Sequence, residues 1–287
     1  MRISISLTNH SWPGGAAALR TAAGRTAQLA EEVGVYAVWV ADHLMQAEPG
    51  TQPDEPLLEA YTTLGYLAAK TERVELGSMV SPVTFREPAL LVKAVTSLDV
   101  LSGGRAWCGL GIGHTGDTEG RFFGMPFPPV AERFERMEET LRLARQMWAG
   151  DESPFDGAHY RLERPLNRPN SLRRPHPPIV VGGMGEKQTL RLVAQYADAC
   201  NIFDIPDGGA AAKRALDALA RHCDAVGRPY DEIERTMATR LEPGESADSF
   251  ARRCEAIRRL GIDHVMVITT GAWTEPAVRS LGTVVAA

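Results

Sequence analysis

Val35-Tyr36-Ala37-Val38-Trp39-Val40-Ala41-Asp42-His43 is an apolar, β-branched run that stops abruptly at two titratable residues. A buried strand has no use for adjacent titratable groups in its interior, so the run reads as a strand over Ala37–Ala41 whose C-terminal end opens onto a cleft at Asp42 and His43. Placed there, Asp42 can orient the ring of His43 and make the imidazole a hydrogen-bonding or acid/base group near neutral pH. On the dipeptide alone the better reading is the plain one, in which Asp42 caps a turn and His43 is a satisfied loop histidine, and the segments below reverse it. Helical stretches flank the run, Ala16–Glu32 before it and Leu57–Lys70 after it.

The same alternation continues to both termini. Further strands are expected at Arg2–Leu7, Val74–Met79, Arg105–Leu110, Pro178–Val181, Ala199–Ile202, Arg235–Arg240 and His264–Ile268. Further helices are expected at Pro88–Leu98, Val130–Trp148, Lys187–Tyr196, Gly209–Val226, Ser246–Leu260 and Glu275–Val284. Eight strands, each followed by a helix, in 287 residues is the arithmetic of a closed (β/α)8 TIM barrel, one α/β domain spanning residues 1–287. A doubly wound sheet is the alternative. Its nucleotide fingerprint fails, because Gly109-Leu110-Gly111-Ile112-Gly113 leads through His114-Thr115-Gly116-Asp117 into a loop rather than directly into a helix. The segments Thr115–Pro129 and Gly150–Pro177 are too long for tight connections, and the second reads as an insertion over the C-terminal mouth of the barrel.

Composition narrows the function. The net charge of -5 is dispersed, and the densest basic stretch, Arg161 to Arg174, is broken by prolines and has no stacking aromatic beyond Tyr160, which argues against a nucleic-acid partner. Cys108, Cys200, Cys223 and Cys254 lack the close spacing of a zinc site or a dense disulfide framework, so no metal is expected and a reducing cytoplasm is the simplest location. The start lacks an apolar core followed by a cleavage site, and no stretch is long and apolar enough to span a bilayer. A soluble, unprocessed protein without a membrane partner is expected.

Two further segments carry candidate chemistry. Gly182-Gly183-Met184-Gly185-Glu186-Lys187 joins a strand to a helix; its glycines let the backbone approach a ligand, and the helix start suits a phosphate, with Lys187 as an added cation. A tight turn requiring positive φ explains the same glycines. Leu76-Gly77-Ser78-Met79-Val80-Ser81-Pro82, continuing to Pro88, can bulge toward the barrel axis and offer a flat apolar surface to a planar ring. Pro88 itself reads as the first residue of the next helix.

In order, Trp39-Val40-Ala41-Asp42-His43, Leu76–Pro82, Leu98-Asp99-Val100-Leu101-Ser102-Gly103-Gly104-Arg105, Gly109–Gly113, Pro177–Gly183 and Tyr196-Ala197-Asp198-Ala199-Cys200-Asn201 resemble the luciferase-like monooxygenase superfamily. The branch they resemble most is that of the deazaflavin (coenzyme F420)-dependent oxidoreductases, and the likeness runs from the first strand to the final helix. The resemblance implies a barrel with the cofactor ring in the C-terminal mouth and its phosphate beside Gly182, Gly183, Met184 and Gly185. It implies a bulge near Ser78 and Met79, often with a non-proline cis peptide, with Ser81 close by and Gly111 and Gly113 among the cofactor contacts. Asp42 and His43 would then stand at the reactive edge of the ring. Many relatives carry Trp or Glu where this chain has His114, which makes His114 a second candidate acid or a pocket-lining residue.

The function so implied is hydride transfer between F420 and a small organic substrate, with His43 and His114 as candidates for the accompanying proton. An FMN-dependent monooxygenase on the same barrel is the first alternative, and a non-catalytic binding barrel the second. His10, Trp12, His114, Phe122 and Phe123 are expected at the mouth. Tyr61, Leu64 and Leu67 offer apolar surface for a homodimer, unless their helical spacing turns them toward the barrel.

Overall fold

The computed structural model describes residues 1–48, 50–113 and 117–285, and of Asp117 the backbone alone. The chain begins with β1 (Arg2–Leu7), α1 (Ala16–Glu32), β2 (Ala37–Val40), α2 (Ala60–Ala68), β3 (Glu75–Ser78), β4 (Ser81–Pro82), α3 (Pro88–Ser102) and β5 (Ala106–Gly111). It continues through α4 (Asp117–Phe123), α5 (Val130–Ala149), the short pair β6 (Phe155–Asp156) and β7 (Arg161–Leu162), β8 (Ile179–Gly182) and α6 (Thr189–Tyr196). It ends with β9 (Ala199–Phe203), α7 (Ala210–Val226), β10 (Glu234–Leu241), α8 (Ala247–Arg259), β11 (His264–Thr269) and α9 (Glu275–Val285).

Among the described residues the parallel ladder runs β3-β2-β1-β11-β10-β9-β8-β5 and closes through a β3–β5 pairing, giving the eight-stranded (β/α)8 barrel expected from the sequence. The third barrel strand is in two pieces. β3 pairs with β2 and β5, the Met79–Val80 peptide is cis, and β4 resumes the pairing with β5 at Ser81↔Leu110. The bulge thus stands where the glycine, serines and proline of Leu76–Pro82 announced it.

Side chains alternate along each strand. Ile3, Ile5 and Leu7 join the apolar layer shared with the helices, whereas Ser6 lines the interior cavity. Below that cavity Ala37, Trp39, Trp107, Val180, Ala199 and Met266 form a separate apolar floor. Trp39 and Trp107 meet edge to face at 5.6 Å, a geometry worth about 0.5–1.5 kcal/mol beyond simple burial. Gly77 makes this possible, since a Cβ there would stand 2.6 Å from Trp39 Cζ3.

At the strand starts, Ser4 Oγ lies 2.5 Å from His264 Nε2, and His264 Nδ1 lies 3.0 Å from Glu234 Oε1. The trio has the order of a hydrolase triad, but Ser4 and His264 are buried and do not line the cavity. Burial lowers the proton affinity of His264 and Glu234 opposes that shift. It is a structural network at the closed end of the barrel.

Two expectations require correction. The segment 150–177 does not cover the mouth. It follows a helix and precedes a strand, so the βα connectivity delivers it to the N-terminal end of the barrel. There Arg173 pairs with Glu75 at the start of β3 (2.5 and 3.0 Å), and Asp99 on α3 accepts from the backbone N–H groups of Leu172 and Arg173. Thr115–Pro129 follows a strand instead, and its α4 does stand at the mouth, where Glu119 reaches His43. On α2, Leu64 and Leu67 are fully buried and the Tyr61 hydroxyl bonds to Ser81, so these residues face the barrel and offer no dimer surface. The helix also starts at Ala60 rather than Leu57, because the Glu59 carboxylate caps it through the N–H groups of Tyr61 and Thr62. No helix among the described residues is long and apolar enough to cross a membrane.

Candidate active site

The C-terminal ends of the strands enclose a cavity of about 1110 Å³. That is slightly above the range of ordinary ligand pockets, room for a tricyclic ring and a small second molecule together. Met79, Val80 and Pro82 form one wall, and Ile112, Phe134 and the glycines 111, 113, 182, 183 and 185 continue it. Two glycines of β5 answer to the bulge. A Cβ on Gly111 would stand 2.6 Å from Val80 Cγ2, and one on Gly109 only 1.9 Å from the Ser78 carbonyl oxygen. The glycine run in β5 is therefore the imprint of the broken third strand. Gly183 has φ +125°, and a Cβ on Gly185 would stand 2.7 Å from Thr189 Oγ1, so this loop keeps bare backbone toward the cavity for two separate reasons.

His43 lines the same cavity, just beyond β2. Its Nδ1 lies 3.0 Å from Oε2 of Glu119, a carboxylate that is 2% exposed and also accepts from the backbone N–H of Leu44. A buried acid on Nδ1 fixes the plane of the imidazole.

Asp42 does something else. Its carboxylate accepts from Ser81 Oγ at 2.5 Å and from Arg86 Nη1 and Nη2 at 2.6 and 3.0 Å. Ser81 Oγ in turn meets Ser78 Oγ at 2.9 Å and the Tyr61 hydroxyl at 3.0 Å, and Arg86 also reaches Glu59. Burial works against the Arg86 charge, but the Asp42 carboxylate holds it firmly protonated. The network ties the loop after β2 and the start of α2 to the bulge.

The family model for luciferase-like monooxygenases matches residues 1–266. The chain belongs to that family. A curated relative, the F420-dependent glucose-6-phosphate dehydrogenase of Kineococcus radiotolerans, is 32% identical over 221 residues, covering 74% of this chain and 61% of its own length. The chain thus matches less than two thirds of that relative. Among solved structures, an F420-dependent secondary alcohol dehydrogenase in complex with an F420-acetone adduct superposes with a TM-score of 0.82 at 16% identity, covering 99% of this chain and 98% of the other. A monooxygenase from Streptomyces bottropensis gives 0.81 at 18%, covering 99% and 97%. At these identities the structures establish a shared fold.

In this luciferase-like chain the candidate residues fall into three groups. His43, Met79, Gly111, Gly113, Gly182, Gly183 and Gly185 line the cavity together. Asp42, Ser78 and Ser81 do not; they form the buried support behind it, so Asp42 does not orient His43 and the serines do not face a ligand. The reason is Arg86, a cation in the loop 83–87 that captures the carboxylate first. Met184 also misses the cavity, its Sδ taking the N–H of Phe203 at 3.4 Å, and Lys187 is exposed because α6 begins two residues later than expected. His114 lies outside the described residues. Phe122 and Phe123 are exposed on α4, and the Trp12 indole donates to the Trp273 carbonyl. Sequence reasoning missed Arg86, Glu48 and Asp204, which stand in loops without periodic signal, and Glu119, Arg240 and Arg253, whose elements carry no sign of which side chains meet at the cavity. Thiol chemistry is disfavoured, since burial pushes Cys108 and Cys200 up to about 12.

His10 is fully buried rather than at the mouth; its Nδ1 accepts from Leu58 N–H at 2.8 Å, and burial pushes its proton affinity down to about 4. With the folded value below the unfolded one of about 6.5, the unfolded chain binds the extra proton, so stability is full above pH 6.5 and falls as the pH drops toward 4. Between pH 7 and pH 5 this group is expected to cost about 2 kcal/mol. Urea unfolding of wild type and His10→Gln at the two pH values checks it: the variant should lose about 2 kcal/mol less on acidification, and equal losses would rule it out.

Proposed function

We propose that this chain is an F420-dependent oxidoreductase that transfers hydride between the deazaflavin and a small organic substrate. The observation that carries the reading is the juxtaposition, in one cavity, of the Met79–Val80–Pro82 wall, the bare glycine loop before α6 and a histidine held by a buried acid. The names of its curated F420-dependent relatives support the choice of cofactor. The residues suit such a group: an apolar wall for a planar ring, and at Gly183 and Gly185 a cradle that side chains would fill.

When bound, the deazaflavin supplies a ring carbon that gives or takes a hydride, with little tendency to activate oxygen. The chain's residues do the rest. Met79, Val80 and Pro82 would back the ring, and Gly183, Gly185 and Thr189 would hold the phosphate. His43 moves the proton that accompanies interconversion of a substrate hydroxyl and carbonyl, its ring held at Nδ1 by Glu119. Asp42 and Arg86 keep the loop after β2 in place.

Fluorescence-quenching titrations with F420 and FMN test the cofactor. F420 is expected to bind more tightly, and tighter FMN binding with oxygen-dependent turnover would favour the monooxygenase alternative. In the same assay Gly183→Val, which places a branched side chain at φ +125° against Thr189, is expected to weaken F420 binding at least about tenfold in a folded protein. Unchanged affinity would remove the loop from the site.

A further inference from the structure

This inference rests on the oxidoreductase reading and concerns the substrate end of the cavity. In the ring of strands β10 stands four positions from the β3–β4 wall, directly across the cavity. Two guanidinium groups line that far side, Arg240 at the end of β10 and Arg253 on α8. A phosphorylated substrate needs such cations, and arginine is the side chain best shaped to hold a phosphate in a bidentate grip.

Both are already taken. Arg240 Nη2 donates to Glu48 at 2.9 Å and its Nη1 to the Thr269 carbonyl at 2.7 Å. Arg253 Nη2 donates to Glu245 at 2.7 Å, and its Nη1 to Thr239 Oγ1 at 2.5 Å and Asp204 at 3.5 Å. Among the described lining residues the carboxylates Glu48, Asp204 and Glu242 outnumber these two arginines. An incoming phosphate would meet excess negative charge and have to displace a carboxylate from its partner. A hydroxyl or carbonyl group faces no such barrier and can share the donors and acceptors already present.

We infer that this cavity accepts an uncharged alcohol or carbonyl compound and rejects a phosphorylated one, and that Glu48, by occupying Arg240, sets that discrimination. Glu48 comes from the loop after β2 and spans the mouth to reach β10, so it is a specificity element contributed from the His43 side of the site.

Isothermal titration with inorganic phosphate and with a sugar phosphate tests this without turnover. Wild type is expected to bind both no more tightly than Arg240→Gln, which reads any phosphate taken up by the glycine loop alone, and Glu48→Gln at least about tenfold more tightly than wild type. Adding Arg240→Gln to Glu48→Gln should abolish the gain. Submillimolar binding to wild type that Arg240→Gln removes, no gain in folded Glu48→Gln, or a gain that survives loss of Arg240 would each overturn the assignment. If Glu48→Gln does not fold, inhibition of alcohol-dependent F420 reduction by wild type decides: about 10 mM sugar phosphate should not compete with the alcohol, and competition would overturn it. F420 quenching on the same preparations keeps the two readings apart, since failure to bind F420 sinks the oxidoreductase reading while leaving the phosphate titrations to stand.

Discussion

Replacing His43 by alanine is expected to slow hydride transfer by at least about 100-fold while leaving F420 affinity within several-fold of wild type. The histidine lines the cavity at the catalytic end of a barrel strand, and Glu119 fixes its ring. A positioned acid or base contributes two to four orders of magnitude, whereas a residue that merely touches the cofactor would show its loss in binding. Single-turnover absorbance of F420 measures the step directly. His43→Gln separates the roles, because an amide donates a hydrogen bond but does not shuttle a proton at neutral pH. Recovery of most of the rate in that variant would make His43 a positioning group, and native rates in both would remove it from the chemistry.

Asp42→Ala is expected to cost about 3 kcal/mol of stability, the lower end for breaking a buried ion pair, since Glu59 still reaches Arg86 after the change. Asp42 is 1% exposed and binds Arg86 through both carboxylate oxygens, so its removal leaves a guanidinium in a site built for a partner. Removing both charges with Asp42→Ala and Arg86→Met should cost less than the two single changes added together. Urea denaturation of the four proteins gives the coupling. An Asp42→Ala midpoint equal to wild type would show that the pair does not hold this loop.

These two neighbours show what could be read in the sequence. The strand that precedes them was legible because its burial follows a simple apolar run, and so were its companions around the barrel. The strand break was legible in Leu76–Pro82, where glycine, serines and proline interrupt an otherwise regular strand. The partner of Asp42 was not, because Arg86 lies 44 positions away and meets it only through the fold. Glu119 reaches His43 across 76 positions from a short helix whose sequence resembles any solvated turn. The segment 150–177 was misplaced for a different reason. Its length was read, but not which end of the barrel its flanking elements dictate. The connectivity strand–helix–segment–strand already contained that answer.

Trp39 and Trp107 make the barrel a cup rather than a pipe. Nothing drains through the floor, so molecules that share the interior come and go by the rim. On the proposed reading, a ring lying against Met79 and Val80 would have to enter before the substrate and leave after the product. Since a deazaflavin that has given or taken a hydride must itself be exchanged, a floor closed in this way would make substrate and cofactor leave in sequence by the same rim.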